Sequence, residues 1–296
     1  ANPPVEWSET KNIRWKLELP GKGHSTPVIW GDRIFVTAAV PYGDALSPRD
    51  SDAPGGHDEL PITHRHKFVV MAVNRRDGKI LWERTVREEL PHAGGHYTAS
   101  LASHSPVTDG EQVFAYFGSY GLYGLDLDGA LLWETDLGSM RTLHGHGEGS
   151  SPALYRDTIV INWDHEGDSF VCALNKKTGD EIWRKPRRES TSWTTPLIVE
   201  VDGKRQAIIV ATGATRAYDV ATGDVIWSTT GMTTNAIPSP IVRDGIAYLM
   251  SGFRGAALQA IKLSGAKGDI TETDHMLWRH NRQTSYVPSA LLYGKH

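Results

Sequence analysis

The chain has 296 residues, of which 39% are hydrophobic and 22% are charged, and its formal net charge is −4. This composition is typical of a globular protein with a large core, and the slight acidity argues against nucleic acid binding, which needs a basic face. No apolar run is long enough for a transmembrane segment. The single cysteine, Cys172, excludes an intramolecular disulfide and a cysteine-based zinc site.

The first elements in chain order are a short strand and an insertion. Ile13–Leu19 is predicted to be a strand that carries Trp15, and a Thr-Pro pair follows at Thr26. The segment 41–66 is rich in Pro, Gly, Asp and His and has few large apolar residues. We therefore expect an insertion loop or lid in the first repeat unit rather than a separate domain.

An eleven-residue unit then recurs along the chain. Ala72–Trp82 aligns without gaps with Ala173–Trp183 and with Ala217–Trp227, while Gly124–Trp133 is one residue shorter and Ala260–Trp278 has a longer turn. Each copy has an apolar strand, an Asx residue, a Gly at a tight turn and a second strand that ends in Trp. This pattern predicts a repeated β-hairpin.

The tryptophan that ends each hairpin is large enough to fill the wedge between two twisted sheets. We therefore predict a structural docking role for these residues rather than stacking on a ligand. The predicted docking tryptophans are Trp15, Trp82, Trp133, Trp183, Trp227 and Trp278.

A second marker, Ser or Thr followed by Pro, opens an apolar strand before each hairpin. After the first pair, the prolines recur at intervals of about 44–48 residues, which is the length of one four-stranded β-propeller blade. The longer first interval contains the insertion. The pairs begin at Thr26, Ser105, Ser151, Thr195 and Ser239, with Pro288–Ser289 as a variant.

The sequence therefore predicts an all-β fold, a propeller of four-stranded antiparallel blades. The strands of each blade are called A to D, from the centre of the propeller outwards. The strand at Trp15 has no strands A to C before it, and Val287–His296 contains only strand A of a sixth blade. We thus expect a single, C-terminally incomplete propeller domain over residues 1–296, with five to six blades in an open arc whose edges stay unpaired.

The hairpin with its Trp and the Ser/Thr-Pro strand resemble the PQQ-like repeat family, whose propellers carry a tryptophan-docking motif. The family includes quinoprotein dehydrogenases and the propeller lipoprotein of the outer-membrane assembly machine, and this chain is most similar to its uncharacterised bacterial secreted members. The resemblance implies eight blades in the full protein and a periplasmic or secreted location. The repeat is specific for the fold and carries little information on function.

Alternating strand directions place the A–B and C–D turns on one face of a propeller and the B–C loops and D–A connections on the other, here called the loop-rich face. Its loops are irregular and polar, and binding residues concentrate in such loops. Ten of the 13 histidines belong to it, namely His24, His57, His64, His66, His92, His96, His104, His144, His146 and His165.

Residues just before each Pro are expected to ring the mouth of the central channel, where a small ligand or a protein partner would bind. The candidates there are His24, His104, Glu148, Trp193, Asn235 and Tyr286. Loop residues add His144, His146, Asp164, His165 and Arg254.

Several of these candidates have two interpretations. His144, His146 and Glu148 are either transition-metal ligands or a hydrated polar rim. Asp164, with the acids that follow it, is either a calcium ligand or part of a solvated turn. Trp193 either stacks on a flat ligand or packs against a neighbouring blade.

Two functions are consistent with the sequence. One is a non-catalytic binding or scaffold protein of the bacterial cell envelope, and the other is an oxidoreductase that depends on PQQ and calcium. The resemblance to such enzymes implies a quinone over a Trp, calcium held by Glu, Asn and Asp, and often a disulfide between adjacent cysteines. Glu148, Asn235 and Trp193 do not reproduce that pattern, and one cysteine cannot form the disulfide. We therefore predict binding rather than catalysis, with the cofactor left open.

Overall fold

Alternating apolar residues form short antiparallel strands throughout the computed structural model, which describes residues 4–294 and 296. Each repeat unit forms one four-stranded meander, or blade. The strands are β1 (Val28–Trp30), β2 (Arg33–Tyr42), β3 (Arg65–Asn74) and β4 (Ile80–Glu89) in blade 1; β5 (Val107–Thr108), β6 (Gln112–Tyr116), β7 (Leu122–Asp126) and β8 (Leu131–Thr135) in blade 2; β9 (Ala153–Tyr155), β10 (Thr158–Trp163), β11 (Phe170–Asn175) and β12 (Glu181–Pro186) in blade 3; β13 (Leu197–Val201), β14 (Lys204–Ile209), β15 (Thr215–Asp219) and β16 (Val225–Thr229) in blade 4; and β17 (Ile241–Arg243), β18 (Ile246–Ser251), β19 (Ala257–Lys262) and β21 (Met276–His280) in blade 5.

The five blades follow one another in chain order, and the inner strands β1, β5, β9 and β13 make successive contacts. This arrangement confirms the predicted all-β propeller and its open arc. Strand β20 (Gly268–Asp269) was not predicted; it lies in the long C–D connection of blade 5 and pairs in parallel with β16 of blade 4. Residues 1–3 and 295 of the predicted domain lie outside the described residues.

The repeat has a constant register around its tryptophan. In every blade the Trp of strand D pairs with a small residue of strand C, such as Ala173 with Trp183, and a β-bulge follows directly. A small partner leaves room for the indole to leave its own sheet. The other pairs are Ala72–Trp82, Gly124–Trp133, Ala217–Trp227 and Ala260–Trp278.

Four tryptophans dock on the next blade in the same way. The ring of Trp183, for example, lies against Gly223 in the C–D turn of blade 4, and its Nε1 donates a hydrogen bond to the Val220 carbonyl at 2.9 Å. The equivalent bonds are Trp15 to Arg75 (3.0 Å), Trp82 to Leu127 (2.8 Å) and Trp133 to Lys176 (2.9 Å).

The last two predicted docking tryptophans differ from these four, although Trp227 also packs in one cluster with Leu249 and Ile261 of the next blade. Trp227 is fully buried, but its Nε1 donates to the Gln206 side chain of its own blade, because the C–D connection of blade 5 is long and irregular. Trp278 is 39% exposed and packs against Tyr248 and His280 of its own blade. The described residues that follow it form no strand, so its docking on a neighbouring sheet stays a prediction.

The docking geometry predicts different effects for two glycines with the same backbone conformation. Gly223 and Gly203 have φ values of 73° and 74°, so an alanine at either position should cost about 1–2 kcal/mol of stability. A Cβ at Gly223 would also lie 2.6 Å from the Trp183 ring, whereas a Cβ at Gly203 meets nothing within 4 Å. We expect Gly223→Ala to lose about 1–3 kcal/mol more in urea unfolding, and equal losses would contradict the docking.

The Ser/Thr-Pro marker has a structural reason that the sequence did not reveal. The backbone N–H of each Ser or Thr donates to the hydroxyl of the equivalent residue in the next repeat, so the pairs tie the inner ends of neighbouring blades together. The bonds are Thr26 to Ser105 (2.9 Å), Ser105 to Ser151 (2.9 Å), Ser151 to Thr195 (3.1 Å), Thr195 to Ser239 (3.0 Å) and Ser239 to Ser289 (3.0 Å).

Two predicted strands are not strands in the structure. Ile13–Leu19 has no ladder partner, although Trp15 still docks on blade 1. The predicted strand A of a sixth blade, at 287–294, is also irregular, although Ser289 still accepts the bond described above. In both segments the side-chain hydrogen bonds to the neighbouring blade therefore form, although the backbone is not paired as a strand.

The insertion is shorter than predicted, because β2 extends to Tyr42 and β3 begins at Arg65. Positions 41, 42, 65 and 66 thus belong to strands, and the loop covers 43–64, called the insertion loop below. Its two halves pair with each other, since Arg49 and Ile62 exchange backbone hydrogen bonds of 3.1 and 2.8 Å. The segment is therefore an ordered part of the loop-rich face.

Candidate functional site

The insertion loop is fixed on the loop-rich face by the D–A connections on both sides. The backbone N–H of Leu60 donates to Gly95 at 2.9 Å, which joins the loop to the β4–β5 connection. The N–H of His144 donates to Pro54 at 2.9 Å, which joins it to the β8–β9 connection. These bonds link segments from blades 1 and 2 into one continuous surface.

Two of the predicted site residues, His144 and His146, lie in a cluster of histidines at this junction. The ring of His146 lies 4.9 Å from that of His57, 4.8 Å from that of His96 and 5.2 Å from that of His144. Burial and the neighbouring imidazoles lower the pKa of His146, so this ring favours its neutral form.

His104 and Glu148 lie together beneath the channel mouth. His104 is buried against Tyr116, and neither ring nitrogen has a hydrogen-bond partner among the described residues. Glu148 accepts hydrogen bonds from the Ser119 N–H (2.7 Å) and hydroxyl (2.5 Å), and its Oε1 lies 3.9 Å from Nε2 of His92. Both candidates line a cavity of about 20 Å³, which has room for one water molecule.

Burial makes His104 a pH-sensitive element of the fold. It lowers the pKa of His104 from 6.5 to about 3, so below pH 6.5 the unfolded chain binds a proton that the folded chain does not. From this group, the free energy of unfolding falls by about 1.4 kcal/mol per pH unit as the pH drops towards 3. We expect His104→Phe to flatten the dependence of stability on pH between 6 and 4.5 in urea unfolding. An unchanged slope would show that His104 is accessible to protons in the folded chain.

Trp193 lies next to Glu148, in the connection that leads to β13 of blade 4. Its Nε1 donates to the Gly147 carbonyl at 2.8 Å, and its ring contacts the position where Gly149 would carry a Cβ. A second cavity, of about 10 Å³, lies between Glu148, Trp193 and Asp164. Trp193 therefore packs against a neighbouring connection, which is the structural alternative for this residue.

Asp164 is fully engaged within blade 3. Its two carboxylate oxygens accept from Nε and Nη2 of Arg187 at 2.6 and 2.9 Å, and the Ser192 hydroxyl adds a third bond at 2.7 Å. Both charged side chains are completely buried. His165 is also buried, and its Nδ1 accepts from the Arg141 N–H at 3.1 Å. Asp164 is thus a buried ion-pair partner and not part of a solvated turn.

The remaining candidates lie apart from these groups. The ring of Tyr286 stacks on that of Phe253 at 4.8 Å, and the Arg254 guanidinium lies 5.2 Å from the centre of the same Phe253 ring, so both residues lie beside the β18–β19 loop of blade 5. Asn235 is buried in the left-handed region, with φ of 55°, and His24 is exposed. His104 and Glu148 thus line one cavity and Glu148, Asp164 and Trp193 line the next, while His24, Asn235, Arg254 and Tyr286 line neither; the expected ring around a channel stays a prediction.

Neither a metal nor a quinone fits these groups as they are arranged. Within the described range no three His, Cys, Asp or Glu side chains are placed to hold a metal ion. Asp164 is neutralised by Arg187, Glu148 is occupied by Ser119, and the two cavities beside them are far smaller than the 300 Å³ or more of an ordinary cofactor pocket.

The sequence missed the partners that complete these groups. Ser119 and Arg187 carry no motif, and each lies more than twenty residues from the candidate that it contacts. His57, His92 and His96 were detectable only as histidines of the loop-rich face. The contacts of His57 and His96 with His146 depend on how the insertion loop folds back, and nothing in a local pattern encodes that.

Comparison with known proteins agrees with the fold. The family described as outer membrane protein assembly factor BamB matches residues 48–192 and 167–294. The crystal structure of BamB from Moraxella catarrhalis superposes with a TM-score of 0.51 at 16% identity, covering 88% of this chain and 77% of that chain. At that identity the likeness shows the fold alone.

Two curated relatives are enzymes. A polyvinylalcohol dehydrogenase of a Pseudomonas species is 23% identical over 261 residues, 73% of this chain and 35% of that protein. A tetrathionate hydrolase of Acidithiobacillus ferrooxidans is 22% identical over 308 residues, 97% of this chain and 54% of that protein. The chain thus spans about a third to a half of the length of these relatives. Among the described residues, no helix is long and apolar enough to cross a membrane.

Proposed function

Because the chain belongs to the family of the outer membrane protein assembly factor BamB, we propose that it is a non-catalytic binding propeller of the bacterial cell envelope. In this proposal it is periplasmic or secreted, and a protein or small-molecule ligand binds at the loop-rich face.

The observation that carries this proposal is the fixed insertion loop. Backbone hydrogen bonds hold it to the connections on both sides, so little conformational entropy is lost when a partner binds. The surface also exposes large apolar side chains, with Leu60 42% and Tyr97 58% exposed. An aliphatic and an aromatic side chain on a rigid surface are typical of the centre of a protein contact.

The ion pairs and hydrogen bonds of the same face support binding over catalysis. Asp164 is neutralised by Arg187, and Glu148 accepts two hydrogen bonds from Ser119. A general acid or base must reach a proton of the substrate, and these carboxylates are occupied by protein donors.

A PQQ- and calcium-dependent oxidoreductase is the second candidate, favoured by the similarity to a polyvinylalcohol dehydrogenase. The chain would then need to open the small cavities beside Glu148 and Trp193 to admit a quinone. This candidate requires that the protein binds PQQ together with calcium, whereas the binding propeller requires neither.

Site-specific photo-cross-linking in the producing cells tests the binding proposal. A photoreactive side chain at Leu60 or Tyr97 should give a discrete cross-linked product. The same group at Lys177, in an exposed C–D turn on the opposite face, should give none. Leu60→Arg should weaken the product formed at Tyr97. Products of equal yield from both faces, or from Lys177 alone, would contradict the proposal.

A further inference from the structure

A cavity with an apolar wall on the loop-rich face belongs to none of the groups described above. It has a volume of about 400 Å³, well within the range of small-molecule sites. It lies between the insertion loop, strands β2 and β3 of blade 1 and the β4–β5 connection. We call it the insertion pocket, and its apolar wall includes Pro41, Leu60, Ile62, Pro91, Ala99 and Leu101.

The polar part of the insertion pocket has one sign of charge. Lys22, His64 and His66 line it together with the hydroxyl residues Thr63 and Ser100. Among the described residues that form its lining, none is Asp or Glu. The pocket therefore combines an apolar wall with an ammonium group and two imidazoles, which suits a ligand with an apolar body and a negative end.

The imidazole of His66 is oriented by its own hairpin. Its Nδ1 lies 3.1 Å from the His64 carbonyl, which can only accept, so Nδ1 carries a proton and donates it. Burial lowers the pKa of His66, so the ring favours its neutral form and Nε2 is left as an acceptor for a hydroxyl or N–H of a ligand. Such a fixed ring is a better ligand contact than a freely rotating one.

Backbone contacts hold the pocket open in this shape. The segment that carries Lys22 is fixed to β2, because Lys22 and Ala39 exchange backbone hydrogen bonds of 3.0 and 2.9 Å. The Arg49 guanidinium donates to the Pro91 carbonyl at 3.0 Å across the pocket edge. Gly94 lies so close to the Leu60 carbonyl that any Cβ there would overlap it. The pocket is thus preformed.

We propose that the insertion pocket binds a small monoanion with an apolar body, of the aromatic carboxylate class, with its charge at Lys22. The inference deepens the proposed binding function and rests on it, since it names the ligand class of one site on the loop-rich face. Lys22 supplies the charge, the Ser100 hydroxyl can donate a hydrogen bond, and the wall from Pro41 to Leu101 excludes water from the body of the ligand.

Two fluorescent probes of the same shape test the charge requirement. Anilinonaphthalene sulfonate is an apolar anion, and phenylnaphthylamine has the same aromatic body without the sulfonate. We expect Lys22→Met to weaken binding of the sulfonate about tenfold, the usual effect of one charged contact, and to leave binding of the neutral probe nearly unchanged. Lys22→Arg should retain binding of the sulfonate probe, because it keeps the positive charge. Benzoate should displace that probe from the unsubstituted protein, and benzamide, which has no charge, should not.

Ala99→Trp locates the probe, because the new side chain would fill the pocket. We expect it to abolish binding of both probes, while Lys177→Met on the opposite face changes neither. Unchanged sulfonate binding in Lys22→Met, or unchanged binding in Ala99→Trp, would overturn the inference. If either result is found while a cross-linked product still forms at Tyr97, the proposed ligand class is wrong, but the loop-rich face remains the proposed binding surface. If no cross-linked product forms at Tyr97 either, the proposed binding function is rejected as well.

Discussion

Replacing Trp183 with Ala should lower the free energy of unfolding by about 3–5 kcal/mol, the usual cost for a buried large aromatic side chain. Trp183 is 9% exposed and packs in one cluster with Val171 of its own blade and Ile209 and Tyr218 of the next. The variant would leave a cavity between the two sheets and would also lose the bond to the Val220 carbonyl.

The matched control is Trp278→Ala, since Trp278 occupies the same position of the repeat but is 39% exposed. We expect a loss of roughly 1 kcal/mol or less for this variant, because little packed surface is removed. Both values can be measured by urea unfolding monitored by circular dichroism, with the slope m compared between variants. Similar losses at the two positions would show that docking between blades does not carry the stability.

Replacing Arg187 with Met should be about as costly, at roughly 3–5 kcal/mol, because it leaves the Asp164 carboxylate buried without its charge partner. The Tyr218 hydroxyl would also lose its bond of 2.6 Å from Nη1. Burial alone lowers the pKa of Arg187, but the attraction of Asp164 and other neighbours outweighs it and leaves a net increase. Arg187 is therefore charged in the folded protein, and its removal leaves the buried Asp164 carboxylate without a compensating charge.

Two variants separate the buried charge from other effects. Arg184→Met removes a partly exposed arginine that pairs with Glu181 three residues away, so we expect a loss below about 1 kcal/mol. The double variant with Asp164→Asn and Arg187→Met should be more stable than Arg187→Met alone, because it removes the uncompensated charge. A double variant that is less stable than Arg187→Met would mean that the loss comes from packing.

The blades could be predicted because their signals are local and repeated. In blade 3, the predicted hairpin Ala173–Trp183 is formed by the end of β11 and the start of β12, and β9 begins directly after the marker at Ser151. An Asx residue, a turn glycine and a tryptophan act within one hairpin, so a short window of sequence contains the whole argument. Irregular segments such as Ile13–Leu19 were harder, since an apolar alternation does not reveal whether a ladder partner is present.

The candidate site could be predicted only as a face. Strand alternation correctly sorts the loops, as shown by the contact of the insertion loop with both neighbouring connections. Which polar side chains meet depends on contacts between distant segments, such as Asp164 with Arg187 and Glu148 with Ser119. Arg187 and Ser119 satisfy the hydrogen-bonding capacity of these two carboxylates, which the sequence alone had offered as candidates for binding a ligand. The insertion pocket depends in the same way on the path of residues 43–64.

Calorimetric titration of the protein with PQQ in the presence of calcium tests the central claim most directly. The cavities beside Glu148 are too small for a quinone, and no three described His, Cys, Asp or Glu side chains are placed around a cation. A binding propeller should therefore show no saturable heat that depends on calcium, and added calcium should not change its melting temperature. Saturable one-to-one binding of PQQ that requires calcium and is lost in Glu148→Gln would contradict the account and favour the oxidoreductase.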